Sequence, residues 1–202
     1  MSLCGLIVTF ILYCCYKDLR NFHGRCIMIL SVFLFIAQLL PTLSAYISFP
    51  PGICVLSALI SHYSWLGAFS WMTVIALNLL HIFRGSLQRV EEWEVSHFCR
   101  YVAPAFGFGA PFIIVVISLF LHFTHAEFAY GAESPCWISD SVCNFWAFGV
   151  PVGIFLAVNT GLFTVIVVLV FKSQRRSREL RRQQETIRTS VRDLLLCFKV
   201  ST

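Results

Sequence analysis

Residues 26–83 form a run of 58 positions without a single Lys, Arg, Asp or Glu. At about 1.5 Å per residue, one helix of that length would extend about 87 Å, against ~30 Å for the hydrocarbon core of a bilayer. The run therefore has to hold two membrane spans. Pro50-Pro51-Gly52 divides it, because proline lacks a backbone donor and restricts the residue before it. Further uncharged runs cover 101–126 and 141–171, and a shorter one opens the chain at 1–16. Only 12% of residues are charged and 58% are hydrophobic, whereas a soluble domain carries roughly a quarter charged residues. A chain of this composition cannot cover a water-facing surface. The fold class expected is all-α: a polytopic bundle of transmembrane helices, since only helices or closed barrels satisfy the backbone in lipid.

Five spans are expected, at about 2–16, 26–49, 53–83, 101–124 and 145–171. A basic cytoplasmic helix over 172–190 follows, and a sixth apolar segment starts near 189 and stops at the last residue. The first run is slightly short for a crossing and has no basic region before it, unlike a secretory signal peptide. The connections alternate in charge. The first (17–25) holds three basic residues and the second (49–52) none. The third contains Arg84, Arg89 and Arg100. The fourth (about 125–144) holds Glu127, Glu133 and Asp140 but no basic residue, and the segment from Lys172 onward is the most basic of all. Basic residues accumulate on the cytoplasmic side, so the N-terminus is expected outside, in a multi-pass protein of the plasma membrane.

Nine cysteines are present. Most lie in or beside spans, where they read as small apolar residues. Cys54, Cys136 and Cys143 lie on the expected outer side, where disulfides form. Cys54 opens the third span and Cys136 sits in the second outer loop, so a bond between them would pin that loop across the mouth of the bundle. Cys143 competes for Cys136, and spacing does not decide between them.

Cys54 at the top of the third span, with Cys136-Trp137-Ile138 in the next outer loop, resembles the secretin and adhesion class of seven-helix receptors. Other stretches agree. Leu19-Arg20-Asn21-Phe22-His23-Gly24-Arg25-Cys26 is similar to the first inner loop of Methuselah-like receptors, and Phe69-Ser70-Trp71-Met72 to the third-span signature of the class. Gly107-Phe108-Gly109-Ala110-Pro111 resembles its fourth-span turn, and Phe145-Trp146, Pro151 and Asn159 fit its fifth span. The resemblance implies a G-protein-coupled receptor (family 2) that carries an outside signal inward by rearranging its helices. It implies a Cys54–Cys136 disulfide and a core containing Trp71, Asn78, Pro151 and Asn159. It also implies an inner surface of Arg84, Arg89, Lys172, Arg175 and Arg176 that meets a heterotrimeric G protein. The extracellular ligand is unknown. Against seven spans, this sequence is expected to be a partial gene model or a truncated isoform, not competent alone. Where hormone receptors of the class commonly carry a Glu in the third span, this chain reads Val74-Ile75-Ala76-Leu77-Asn78.

Asn78 and Asn159 lie within spans, where such groups bond across helices for around 1 kcal/mol each; Gln38 and Thr42 read the same way. Pro104, Pro111 and Pro151 can kink their helices and free backbone carbonyls. His122 and His125 share a helix face, but without carboxylate or thiolate partners they make a poor metal site. Trp93, Trp137 and Trp146 read as membrane-interface anchors. No charged residue falls deep in a span, which argues against ion-coupled transport. The alternative reading, a small channel or transporter subunit, is therefore the weaker one. An enzyme is not expected, nor are a cofactor, a metal or a nucleic-acid partner. The basic tail faces membrane lipids as well as any protein partner.

Overall fold

The computed structural model describes residues 2–19, 21–87, 101–124, 130 and 136–200, without the side chains at 2, 18, 84–87, 186 and 189–200. Among the described residues six α-helices follow in order: α1 (Ser2–Cys15), α2 (Phe22–Tyr46), α3 (Pro51–Leu87), α4 (Ala103–Thr124), α5 (Ser141–Asn144) and α6 (Val150–Val200). A 3-10 turn (Lys17–Leu19) joins α1 to α2, and a π-helical segment (Phe145–Gly149) joins α5 to α6. Among the described residues the only strand-like pairing is an isolated bridge between Tyr130 and Ile138.

Local chemistry sets the boundaries. Asn21 caps α2 by accepting the Gly24 N–H at 2.8 Å, which satisfies one of the unpaired donors of the first turn. The prolines end α2 at Tyr46 and let α3 begin on Pro51, a first-turn position where the missing N–H costs nothing. Along the helices, hydroxyls turn back on carbonyls four residues earlier: Ser31 on Ile27, Thr73 on Phe69, Ser118 on Ile114 and Thr160 on Leu156. In lipid that carbonyl is the partner within reach.

Four helices among the described residues are long and apolar enough to cross a membrane: Phe22–Tyr46, Pro51–Phe83, Ala103–Thr124 and the stretch Ser141–Glu185. The segment expected as a first span is a helix of 14 residues, about 21 Å long and short of a crossing. The segments expected over 172–190 and from about 189 lie on one helix. One helix of 51 residues, about 77 Å, runs from Val150 through the basic segment to Val200. No proline or glycine interrupts it after Gly161, so nothing in the sequence ends it there.

α3 is the central helix, packed by α2, α4 and α6, while α1 lies against α2. Glycine makes two of these approaches possible. A Cβ on Gly67 would lie 2.6 Å from the Phe33 ring of α2, and one on Gly107 of α4 would lie 2.6 Å from the Trp71 ring of α3. Small residues at such crossings let membrane helices close. Cys26, Phe33, Ala68, Trp71, Val74 and Ala103 form the core at these crossings. The outward faces of α4 and α6 expose Phe112, Ile113, Phe120, Ile154, Phe163 and Val168, a surface suited to lipid.

Candidate functional site at the disulfide-bonded end of the bundle

Among the described residues the loop between α4 and α5 is fastened to α2, α3 and α4, and three of these ties define the site. Cys54, in the first turn of α3, and Cys136 are joined as a disulfide with Cα atoms 5.1 Å apart. Cys143 stays outside the bond: its N–H donates to the Asp140 carboxylate at 2.7 Å, at the start of α5. Asp140 lies in the loop, and this backbone bond holds its carboxyl below the ordinary carboxylate range. The second fastening runs to α2, where the Cys136 N–H donates to the Ser44 hydroxyl at 3.2 Å and that hydroxyl donates to the Pro41 carbonyl at 3.0 Å.

The third fastening centres on His62, two turns below Cys54 and fully buried. Its Nε2 lies 3.2 Å from the Ala147 carbonyl of the π-helical segment. A carbonyl only accepts, so Nε2 carries the proton and Nδ1 is left as an acceptor. Nδ1 lies 2.9 Å from the Tyr130 hydroxyl of the outer loop, which donates to it. Sequence dictates why Ala147 has a carbonyl to offer. Pro151 stands four residues later and has no N–H, so the α-helical partner of that carbonyl is missing. The imidazole supplies a donor in its place, and the chain opens into a π turn at this point, with the Val150 N–H reaching back to Phe145.

Aromatic rings close the site. Tyr130, Trp137 and Phe148 surround the imidazole with ring centroids 6.1, 6.1 and 5.9 Å away. Burial pushes the Tyr130 phenol up to about 12, a hydrogen bond from Ser118 opposing the shift, so near neutral pH it stays a donor. The Tyr130 N–H donates to His122 Nδ1 at 3.4 Å, tying the loop to α4 as well. Trp137, half-buried, packs edge-on against Phe148 at 5.1 Å and donates its indole N–H to Asn144 at 2.9 Å. Trp146 is the residue left 66% exposed at this end.

The other expected site residues fall elsewhere. Trp71 is buried in the core below, its ring 5.1 Å from Phe108. Asn78 is buried on α3 nearer its C-terminal end. Asn159 of α6 donates to the Phe69 carbonyl of α3 at 3.4 Å, a weak bond between helices, and its side-chain oxygen is buried without a partner. Lys172, Arg175 and Arg176 are exposed on α6. Arg84 lies on α3 with its side chain outside the described part; Arg89, Trp93 and His125 lie outside the described residues. No cluster of three or more potential metal ligands occurs among the described residues.

Known proteins resolve what this arrangement belongs to. The sequence matches the 7 transmembrane receptor (Secretin family) description over residues 1–200. The chain belongs to that family. It is 28% identical over 172 residues to Adhesion G protein-coupled receptor L4 of Danio rerio, covering 85% of this chain and 22% of that receptor. It is 27% identical over 201 residues to the human Adhesion G protein-coupled receptor E3, covering 100% of this chain and 29% of that one. G-protein coupled receptor Mth of Drosophila yakuba is 32% identical over 107 residues, covering 52% of this chain and 20% of the receptor. The chain thus spans between a fifth and a third of the length of these relatives. Membership in a receptor family disfavours the channel or transporter alternative, and a multi-pass membrane protein is what the family and the apolar helices support.

His62 escaped the sequence reading. The signal was present: a proline in the fifth span frees the carbonyl four residues earlier, and a buried histidine on the neighbouring helix can fill it.

Proposed function

We propose that the chain is the membrane portion of a receptor that takes a stimulus at its outer end and passes it to a heterotrimeric G protein by rearranging helices. The match to the secretin family over residues 1–200 carries this reading. In this reading the N-terminus of α1 faces outside at the plasma membrane, consistent with basic residues gathered at the opposite end from Cys54 and Cys136. The Cys54–Cys136 bond and the His62 cluster hold the loop as the receiving surface. Trp71, Asn78, Pro151 and Asn159 lie between that surface and the inner one. Arg84, Arg89, Lys172, Arg175 and Arg176 form the inner contact. No chemical transformation is part of this activity.

The test is nucleotide exchange. The product of the full transcript that contains this sequence, reconstituted with each class of G protein, should accelerate exchange under an activating condition. No acceleration with any class would refute the receptor reading.

A further inference from the structure

The inner end of α6 carries a change of character on one face. Val168 and Phe171 are exposed and apolar; Lys172, Arg175 and Arg178 are exposed and basic. Val168, Phe171, Lys172 and Arg175 line one shallow groove, as residues spaced three and four apart do. At about 100° per residue, Arg175 points about 180° from Ile166. Ile166 is buried, as is Phe155 on the face of α6 that packs α3. The groove therefore looks directly away from the bundle.

Depth gives the second constraint. The uncharged run 141–171 ends at Phe171, so in a membrane-spanning α6 the step from Phe171 to Lys172 marks the edge of the hydrocarbon. Val168 and Phe171 then fall at the level of acyl chains and Lys172 at the level of phosphate. Arg175 and Arg178 stand about 5 and 9 Å higher. None of the three cations makes an ion pair among the described residues. Three positive charges stacked above an apolar step exceed the single net charge of a simple anionic headgroup. They match one that carries additional phosphomonoesters, and arginine binds such groups bidentately.

We propose that this face of α6 is a binding site for a polyphosphoinositide, with acyl chains on Val168 and Phe171 and headgroup phosphates on Lys172, Arg175 and Arg178. The site rests on the reading of α6 as a membrane span with its basic end inside, and not on G-protein coupling.

The experiment is native mass spectrometry of the whole chain in detergent, with phosphatidylinositol 4,5-bisphosphate or phosphatidylserine added at matched total charge. The chain should retain the phosphoinositide preferentially. K172Q/R175Q should lower its occupancy on the order of tenfold or more, from roughly a kcal/mol per basic residue near the surface. R181Q/R188Q removes the same charge from the flank of the helix and should leave occupancy nearly unchanged. F171N should weaken the lipid but not soluble inositol 1,4,5-trisphosphate. Every variant is checked for an intact Cys54–Cys136 cross-link, so misfolding is recognised. Equal losses from both charge pairs, or equal retention of phosphatidylserine, would overturn the proposal. So would K172Q/R175Q that leaves lipid occupancy intact while lowering G-protein exchange, which would make the face a protein contact. Because occupancy is read without a G protein, failure of exchange leaves this result standing, and the reverse holds too.

Discussion

His62 donates to the carbonyl of Ala147 at 3.2 Å, the carbonyl that Pro151 leaves without its helical partner. One proline on α6 thus has its lost hydrogen bond restored by a side chain of α3, which at the same time holds the loop through Tyr130. The loop between α4 and α5, the central helix α3 and the start of α6 meet at one imidazole.

The first prediction isolates that exchange. His62→Phe keeps an aromatic ring but strands the Ala147 carbonyl and takes from the Tyr130 hydroxyl one of its partners, so it should cost about 1–3 kcal/mol. Pro151→Ala returns an N–H to the Ala147 carbonyl. The double variant should therefore lose less than the sum of the two single changes. Thermal unfolding in detergent measures this as a double-mutant cycle; strict additivity would show that the two residues do not share the carbonyl.

The disulfide closes a sequence separation of 82 residues. Cys136→Ser should reduce stability by about 2–5 kcal/mol. The Cys136 N–H also holds Ser44, so Ser44→Ala should cost about a further 1 kcal/mol in the intact protein. Melting temperatures of the two variants, with and without reductant, check both. Reductant should bring the parent down to the level of Cys136→Ser and leave that variant unmoved.

Gly107→Ala and Gly67→Ala place a methyl 2.6 Å from the rings of Trp71 and Phe33 respectively. The helices must separate or the rings must turn, at about 1–3 kcal/mol. Gly161→Ala, where nothing lies within 4 Å, should be neutral or slightly stabilising because alanine is the better helix former. Equal effects at all three positions would contradict the close crossings.

The pH dependence of the outer hub follows from Tyr130. Its folded pKa is raised from 10.0 to about 12, so the folded state holds its proton longer than the unfolded state does. The stability this contributes is complete below pH 10 and is lost as the pH rises through about 12. Tyrosinate absorbance of the parent minus that of Tyr130→Phe should show one late-titrating phenol; a phenol titrating near 10 would place Tyr130 in water.

The uncharged runs and the prolines made the long helices legible, since lipid demands apolar helices and proline ends them. Cys54 and Cys136 were legible through resemblance rather than spacing, which left Cys143 open. A basic helix following the fifth span was legible too; that the segment from about 189 lies on the same helix was not. Charge marks where a helix leaves lipid, but only a proline, a glycine or a cap marks where it stops, and after Gly161 neither proline nor glycine occurs. The partners of Trp137 were not legible: Phe148, His62 and Asn144 are brought to it only by the fold.

The most direct measurement is disulfide mapping of the chain inserted into microsomal membranes. Thiols are blocked without reductant, the chain is digested, and cross-linked peptides are identified. The account predicts one cross-linked pair containing Cys54 and Cys136, formed on the luminal side, with Cys143 recovered as an alkylated thiol. A Cys54–Cys143 pair, or Cys54 and Cys136 both alkylated in the oxidising compartment, would contradict it.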